Sequence, residues 1–167
     1  MNGDALFRIG HGYDVHRFAK DRPLYLGGIL VPGADGLLGH SDADVLLHAV
    51  MDAVLGALGM GDIGVLFPDD DARFCGIRST ELCKAVAQQL QRHAVGGVGV
   101  DMDLDDLVVV DNDNTVTDAF KDLTQLFGAA PCRINIKATT EEGLGFTGRK
   151  EGISAHAVVL LERTEPQ

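Results

Sequence analysis

The sequence predicts one α+β domain, spanning residues 1–167, in which helices cover a mixed β-sheet. Three observations lead there. The 167 residues suffice for one domain with a real core and are too few for two ordinary ones. Strand-like and helix-like runs are interleaved along the chain. The helical runs outnumber what one sheet face needs for strict β–α alternation, which points to a mixed sheet.

Residues 6–16 read as a first strand, interrupted by Gly10 and Gly12, which permit a bulge or close backbone approach. Residues 24–31 (LYLGGILV) read as a second, ended by Pro32-Gly33, and Asp35-Gly36 makes a turn. Ser41 is a good N-cap for a helix over about 42–58, whose apolar stripe runs through Val45, Leu46, Ala49, Val50, Ala53 and Leu58. The Gly- and Asp-rich stretch 59–77 reads as a mobile surface loop long enough to carry function. Ser79 caps a second helix, to about His93, with Leu82, Val86 and Leu90 on one face. Gly96, Gly97 and Gly99 mark a turn, and 104–111 (LDDLVVVD) a strand. Thr115 with Asp118 resembles a capping box for a helix through Phe127, closed by Gly128. Residues 132–138 alternate as a half-buried strand, and 155–163 form the last one.

Composition narrows the function classes. With 46% hydrophobic and 23% charged residues the chain is globular, not disordered. Lys and Arg number 14 against 25 Asp and Glu, a net charge of −11, which disfavours nonspecific binding to nucleic acid or anionic lipid. No apolar stretch approaches the ~20 residues that span a bilayer, and residues 1–7 show neither a signal nor a transit peptide. Cys75, Cys83 and Cys132 form no Cys-x-x-Cys pair, and their odd number fits a reducing compartment. A soluble, cytoplasmic protein is expected.

The chemistry-bearing residues fall in three clusters. Asp14 and His16 stand two apart on the first strand and therefore share a face. Asp44, His48 and Asp52 stand four apart on the first helix and stack on one side. His48 would complete an Asp–His–His set with one position open, as in a zinc site that meets substrate, and Asp44 or Asp52 could hold its second nitrogen. His40 and Ser41 sit where that helix begins, and free N–H groups there favour phosphate oxygens. Beyond a later strand, Thr139 and Thr140 offer hydroxyls to phosphate, and Glu141-Glu142 offers carboxylates to a hard cation. By itself that run reads more readily as a helix N-terminus than as a metal site, and the loop only as a solvated acidic connection.

The strings IGHGYDVH, LLGHSDADVLLHA, GDIGVLFPDDD and IKATTEEGLGFTGRKEGI, in this order, resemble the 2-C-methyl-D-erythritol 2,4-cyclodiphosphate synthase family, over most of residues 8–80 and 128–161. The resemblance implies a homotrimer whose sheets surround a central axis, with active sites at the subunit interfaces. It implies zinc or manganese at Asp14, His16 and His48, and magnesium or manganese at Glu142, bridging two substrate phosphates. His40, beside Ser41, and Thr140 would then stabilise the transition state. Asp52, Asp62, Ile63, Gly64, Phe67, Asp69 and Asp71 would hold the ribose and methylerythritol portions, and Thr139 a phosphate. Phe146 and Arg149 match positions near the substrate or the axis. The implied reaction is intramolecular: the 2-phosphate of a CDP-linked methylerythritol attacks the β-phosphorus, CMP leaves, and a cyclic diphosphate forms.

Two departures stand out. Where the family carries Ala-Gln-x-Pro-Lys closing over cytosine, this chain has Val108-Val109-Val110-Asp111-Asn112-Asp113-Asn114-Thr115. His156 stands where a glutamate near the axis is common. The first keeps two alternatives open: a paralogue acting on another nucleotide-activated substrate, or a metal-binding trimer without catalysis.

Overall fold

The computed structural model describes residues 7–93, 95–105, 123–127, 129–130 and 133–163. Strand β1 (Phe7–Ala19) is the longest, and β7 (Gly152–Arg163) pairs with it antiparallel over eleven successive positions, Phe7 opposite Glu162 through Arg17 opposite Gly152. Strand β4 (Gly36–Leu37) flanks β1, while β5 (Val95–Asp105) pairs antiparallel with β7 and parallel with β6 (Ile134–Thr139). The five-stranded sheet, ordered β4-β1-β7-β5-β6, is therefore mixed, as expected.

Helix α1 (Val45–Leu58) lies across β1 and β7, and its fully buried Leu46, Leu47, Met51 and Leu55 form the centre of the core. Its approach is unusually close. A Cβ placed on Gly10 would sit 1.9 Å from the Ala53 carbonyl oxygen, and one on Gly12 1.9 Å from that of Ala49. Ala49, Ala53 and Ala57 recur every four residues and face these glycines, so a small-residue stripe on the helix meets a small-residue face on the strand. Helix α3 (Ser79–Arg92) packs beside α1 through Leu82, Cys83, Val86 and Leu90. Residues 123–127, with Leu123 and Phe127 buried, are helical and here named α4.

Several expectations need correction. Residues 24–31 are two short strands, β2 (Leu24–Leu26) and β3 (Ile29–Val31), turned back at Gly27 (φ 62°) and Gly28 (φ 88°). A Gly-Gly pair supplies the two positive φ angles of a two-residue hairpin, which overrides the apolar run. The helix begins at Val45, and its N-cap is Asp44, not Ser41. The buried Asp44 carboxylate accepts from the N–H groups of Leu47 (3.1 Å), Gly27 (2.9 Å) and Gly28 (2.6 Å), so one side chain starts the helix and pins the hairpin. Ser79 is the first helical residue of α3, and Asp42, from the connection before α1, caps it by accepting from its N–H. The 96–99 turn is instead strand. Pairing with β7 outweighs glycine's weak strand preference, and a register shift between Val95 and Gly97 absorbs the extra residue. Of the expected 104–111 strand and 115–127 helix, residues 106–122 lie outside the described residues.

The stretch 59–77 also holds regular structure: the one-turn helix α2 (Ile63–Leu66), capped by Asp62, and a 3₁₀ turn (Ala72–Phe74), capped by Asp71. A further single turn, α5 (Gly145–Gly148), precedes β7. Among the described residues helices cover one sheet face, and on the opposite face of β1 and β7 Ile9, Tyr13, Val15, Val158 and Leu160 are exposed.

Gly12→Ala is expected to lower stability by about 2–3 kcal/mol, because a methyl group cannot enter a backbone–backbone contact without displacing the helix. A fall in the urea midpoint at unchanged slope checks this.

Candidate metal centre

The glycine-lined contact sets His48 of α1 above the Asp14–His16 face of β1. Their ligand atoms lie within 4.8 Å of one another. His16 Nε2 is 3.0 Å from Asp14 Oδ2, His48 Nδ1 is 3.0 Å from the same oxygen, and the two ring nitrogens are 3.2 Å apart. Ligands at about 2.0–2.1 Å from a tetrahedral zinc ion lie about 3.3 Å apart, so the cluster has the dimensions of three corners of such a site.

The donor set fits a cation chemically as well. His16 Nδ1 lies 2.8 Å from the Leu38 carbonyl, which can only accept, so Nδ1 carries the hydrogen and Nε2 turns its lone pair inward. A neutral His16 and an ionised Asp14 thus present converging lone pairs that need a proton or a metal between them. Burial works against the charge of Asp14, but hydrogen bonds and attraction from His16 and His48 in their protonated forms outweigh it and hold its carboxyl far below the usual range. Burial likewise opposes a charged His16, yet its hydrogen bond and attraction to Asp14 raise its pKa above the ordinary value. Asp14 therefore stays a carboxylate, and a cation entering the cluster would displace a proton from His16.

A cleft of about 200 Å³ opens onto this cluster, walled by His40, Ser41, Ile63, Gly64, Phe67 and Asp69, with Gly39, Phe74 and Leu82. His40 Nε2 is buried there and has no hydrogen-bond partner among the described residues. Ser41 Oγ accepts from the Ala43 N–H (3.1 Å) and approaches His48 Nε2 (3.2 Å). Neither Asp44 nor Asp52 holds the second nitrogen of His48. Asp44 is occupied as the N-cap, and Asp52 accepts from the Ile63 N–H (2.8 Å), fastening the loop to the helix. Burial pushes the Asp52 carboxyl up despite that N–H, and the charges of Asp62 and Asp14 add to the shift. The partner of His48 Nε2 that the sequence reading missed is Ser79 Oγ, at 2.9 Å. Its only sequence signal was a helix-capping position.

Other expected site residues lie elsewhere. Asp62 and Asp71 serve their caps, and Arg73 holds the Asp71 carboxyl down at about 2. Thr139 ends β6, Thr140 and Glu142 follow it exposed, and the Glu142 N–H donates to Thr140 Oγ1 (3.1 Å) at a positive φ of 53°. Phe146 is exposed on α5, and Arg149 just after it pairs with Glu151. Across the sheet Val15, Ser154, Asp105 and Thr139 stand in one row. Three interstrand steps of about 4.8 Å put the Thr139 end of β6 about 14 Å from the Asp14–His16 end of β1.

Because a cation must displace a proton from His16, affinity for zinc is expected to rise with pH through the raised His16 value. The slope is about tenfold per pH unit for each proton displaced, and calorimetric titration between pH 6 and 8 measures it. In the metal-free protein the sign reverses. Stabilisation from the His16–Asp14 pair is complete below the ordinary histidine pKa and is lost as pH rises through the raised one.

The family model described as the YgbB family matches residues 7–162. The 2-C-methyl-D-erythritol 2,4-cyclodiphosphate synthase of Trichlorobacter lovleyi is 52% identical over 159 residues, covering 92% of this chain and 98% of that one. A solved structure of 2C-methyl-D-erythritol-2,4-cyclodiphosphate synthase in a CDP-bound form superposes with a TM-score of 0.82 at 37% identity, over 93% of this chain and all of that one. The bifunctional IspDF of Campylobacter jejuni superposes with a TM-score of 0.88 at 36% identity, where the match covers 95% of this chain and 43% of the longer one. On sequence, on fold and on the convergence of Asp14, His16 and His48, this chain belongs to the YgbB family, that of the 2-C-methyl-D-erythritol 2,4-cyclodiphosphate synthases.

Proposed function

We propose that this chain is a cyclising, CMP-releasing phosphorus–oxygen lyase. It converts 4-diphosphocytidyl-2-C-methyl-D-erythritol 2-phosphate to 2-C-methyl-D-erythritol 2,4-cyclodiphosphate in non-mevalonate isoprenoid biosynthesis, a cytoplasmic role that suits the free thiols of Cys75 and Cys83. The observation that carries this reading is the lone-pair cluster of Asp14, His16 and His48 at the mouth of a cleft, in a chain related to such synthases over nearly its whole length. The reaction needs no side-chain nucleophile. An oxygen of the 2-phosphate forms the new bond to the β-phosphorus, the bond from that phosphorus to the CMP oxygen breaks, and CMP takes the electron pair.

Zinc or manganese held by Asp14, His16 and His48, and magnesium or manganese at Glu142, would offset phosphate charge and polarise the phosphoryl oxygens. The chain's own groups do the rest. The unpartnered His40 Nε2 points to a substrate oxygen as its missing partner, and a donor fixed in a buried site stabilises developing charge. Ser41 lines the same wall, while Ile63, Gly64, Phe67 and Asp69 form the side suited to a polyol, the carboxylate accepting from hydroxyls. Asp52 keeps that wall in place through Ile63, and Asp62 and Asp71 brace it by capping its two turns. Thr139, Thr140 and Glu142 take the phosphates from the opposite side, with Phe146 and Arg149 beside them.

That second group stands about 14 Å from the first within one chain, too far to share one phosphate. A homotrimer resolves this by bringing the β6 edge of one copy against the β1 cleft of the next. The uncovered face with Ile9, Tyr13, Val15, Val158 and Leu160 supplies an apolar surface for packing around the axis. A net charge of −11 argues against nucleic acid as a partner.

A second reading keeps the metal cluster and changes the base, because the Ala-Gln-x-Pro-Lys segment is missing from 108–115. Turnover of the CDP-linked substrate beside UDP- and ADP-linked analogues, followed as released nucleotide and cyclic product by mass spectrometry, separates the two. Cyclic product from the CDP compound alone is expected, and preference for another nucleotide would move the assignment. His48→Ala and His40→Ala are each expected to lower kcat/KM by about a hundredfold or more. Light scattering should give three times 17.7 kDa. Tyr13→Lys with Leu160→Lys should give monomers that bind zinc but release no CMP.

A further inference from the structure

We propose that Ser79 and Asp42 form a positioning relay that sets the tautomer of His48 and thereby prepares its Nδ1 to bind the cation. The inference deepens the metal-centre reading and rests on it. Asp42 has a side chain only 6% exposed, and its carboxylate is saturated with donors. It accepts from Arg78 Nε (2.9 Å), from the Ser79 N–H (3.1 Å) and from the Ser79 hydroxyl (2.5 Å). Arg78 is itself held, donating to the Gly28 carbonyl (2.8 Å) and lying 3.8 Å above the Tyr25 ring. The carboxylate is therefore fixed and presented as an acceptor to the Ser79 hydroxyl.

A serine hydroxyl has one proton. With its oxygen 2.5 Å from a carboxylate oxygen, that proton must lie between them, since two facing lone pairs at this distance would repel. Ser79 Oγ then turns a lone pair to His48 Nε2 at 2.9 Å, and only an N–H satisfies it. A neutral imidazole with hydrogen on Nε2 has none on Nδ1, the nitrogen 3.0 Å from Asp14 Oδ2. His16 takes the opposite tautomer, because the Leu38 carbonyl keeps the hydrogen on its Nδ1 and leaves the lone pair on Nε2. The two histidines are thus oriented from opposite sides, one by a main-chain oxygen and one by a serine–carboxylate pair. A cation held at Nδ1 would draw charge from the ring and strengthen Nε2–H as a donor, which Ser79 and, through it, the Asp42 carboxylate would accept. Ser41 Oγ, 3.2 Å from Nε2, also meets this hydrogen but has no carboxylate in the contacts described for it.

Asp42 also caps α3, so the test must separate capping from relay. Ser79→Ala keeps the backbone N–H that Asp42 caps and removes only the hydroxyl. Cobalt(II) affinity, read from its visible absorption against a competing chelator, is expected to fall 10- to 100-fold in Ser79→Ala. Asp42→Asn should lower it in the wild-type background and have little further effect in Ser79→Ala. In metal-free protein above the histidine titration, long-range ¹H–¹⁵N spectra should show His48 as the Nε2–H form in wild type and as a mixture in Ser79→Ala. Unchanged affinity in Ser79→Ala, additive losses in the double variant, or the same tautomer in both proteins would each overturn the relay. Because cobalt binding is read without turnover, a protein that binds the ion but forms no cyclic product would defeat the proposed reaction and leave the relay standing.

Discussion

The structure depends on one contact, that of the α1 backbone on the β1 backbone at Gly10 and Gly12. Side chains normally keep packed layers well apart, about 10 Å between stacked sheets. Here the carbonyls of Ala49 and Ala53 occupy the space where strand side chains would stand. The gain is reach: His48, one residue before Ala49, comes within 3.0 Å of Asp14 two residues beyond Gly12. A wider helix would leave three polar side chains facing solvent separately. The same proximity buries them, and burial makes each partner matter, since an unpaired polar group in that setting costs about 1–3 kcal/mol.

The acidic chain spends its buried carboxylates on distinct tasks. Asp44 joins the hairpin to α1, Asp42 joins the connection before α1 to α3, Asp52 joins α1 to the loop at Ile63, and Asp14 faces the cleft. Three are satisfied by N–H and O–H donors, which lets a dense cluster of negative charge exist around one small cleft. Asp14 alone meets imidazoles, whose protons can leave. The site's capacity for a cation thus arises where the donors stop being permanent.

The proposed assembly follows from the sheet order. In the order β4-β1-β7-β5-β6, strands β7 and β5 stand between β1 and the edge strand β6, so residues that the reaction would use together lie three strands apart. In the proposed trimer an uncovered apolar face and two half-sites would be two aspects of one arrangement, each completed by another copy.

By itself the sequence determined the strands β1, β6 and β7, the helices α1 and α3, and the pairing of Asp14 with His16, because period-two and period-3.6 patterns act over neighbouring residues. The ordered motifs also carried the family. The tertiary structure decided what depends on distant partners. Asp44 rather than Ser41 became the cap, because the hairpin's N–H groups converge on it from seventeen residues away. The glycines of 96–99 became strand because β7 lies alongside, and the apolar run 24–31 folded back because its two central glycines could take positive φ. Ser79, seen in sequence only as a helix start, met His48 across 31 residues. No local pattern encodes that meeting, since it is set by how α3 packs on α1.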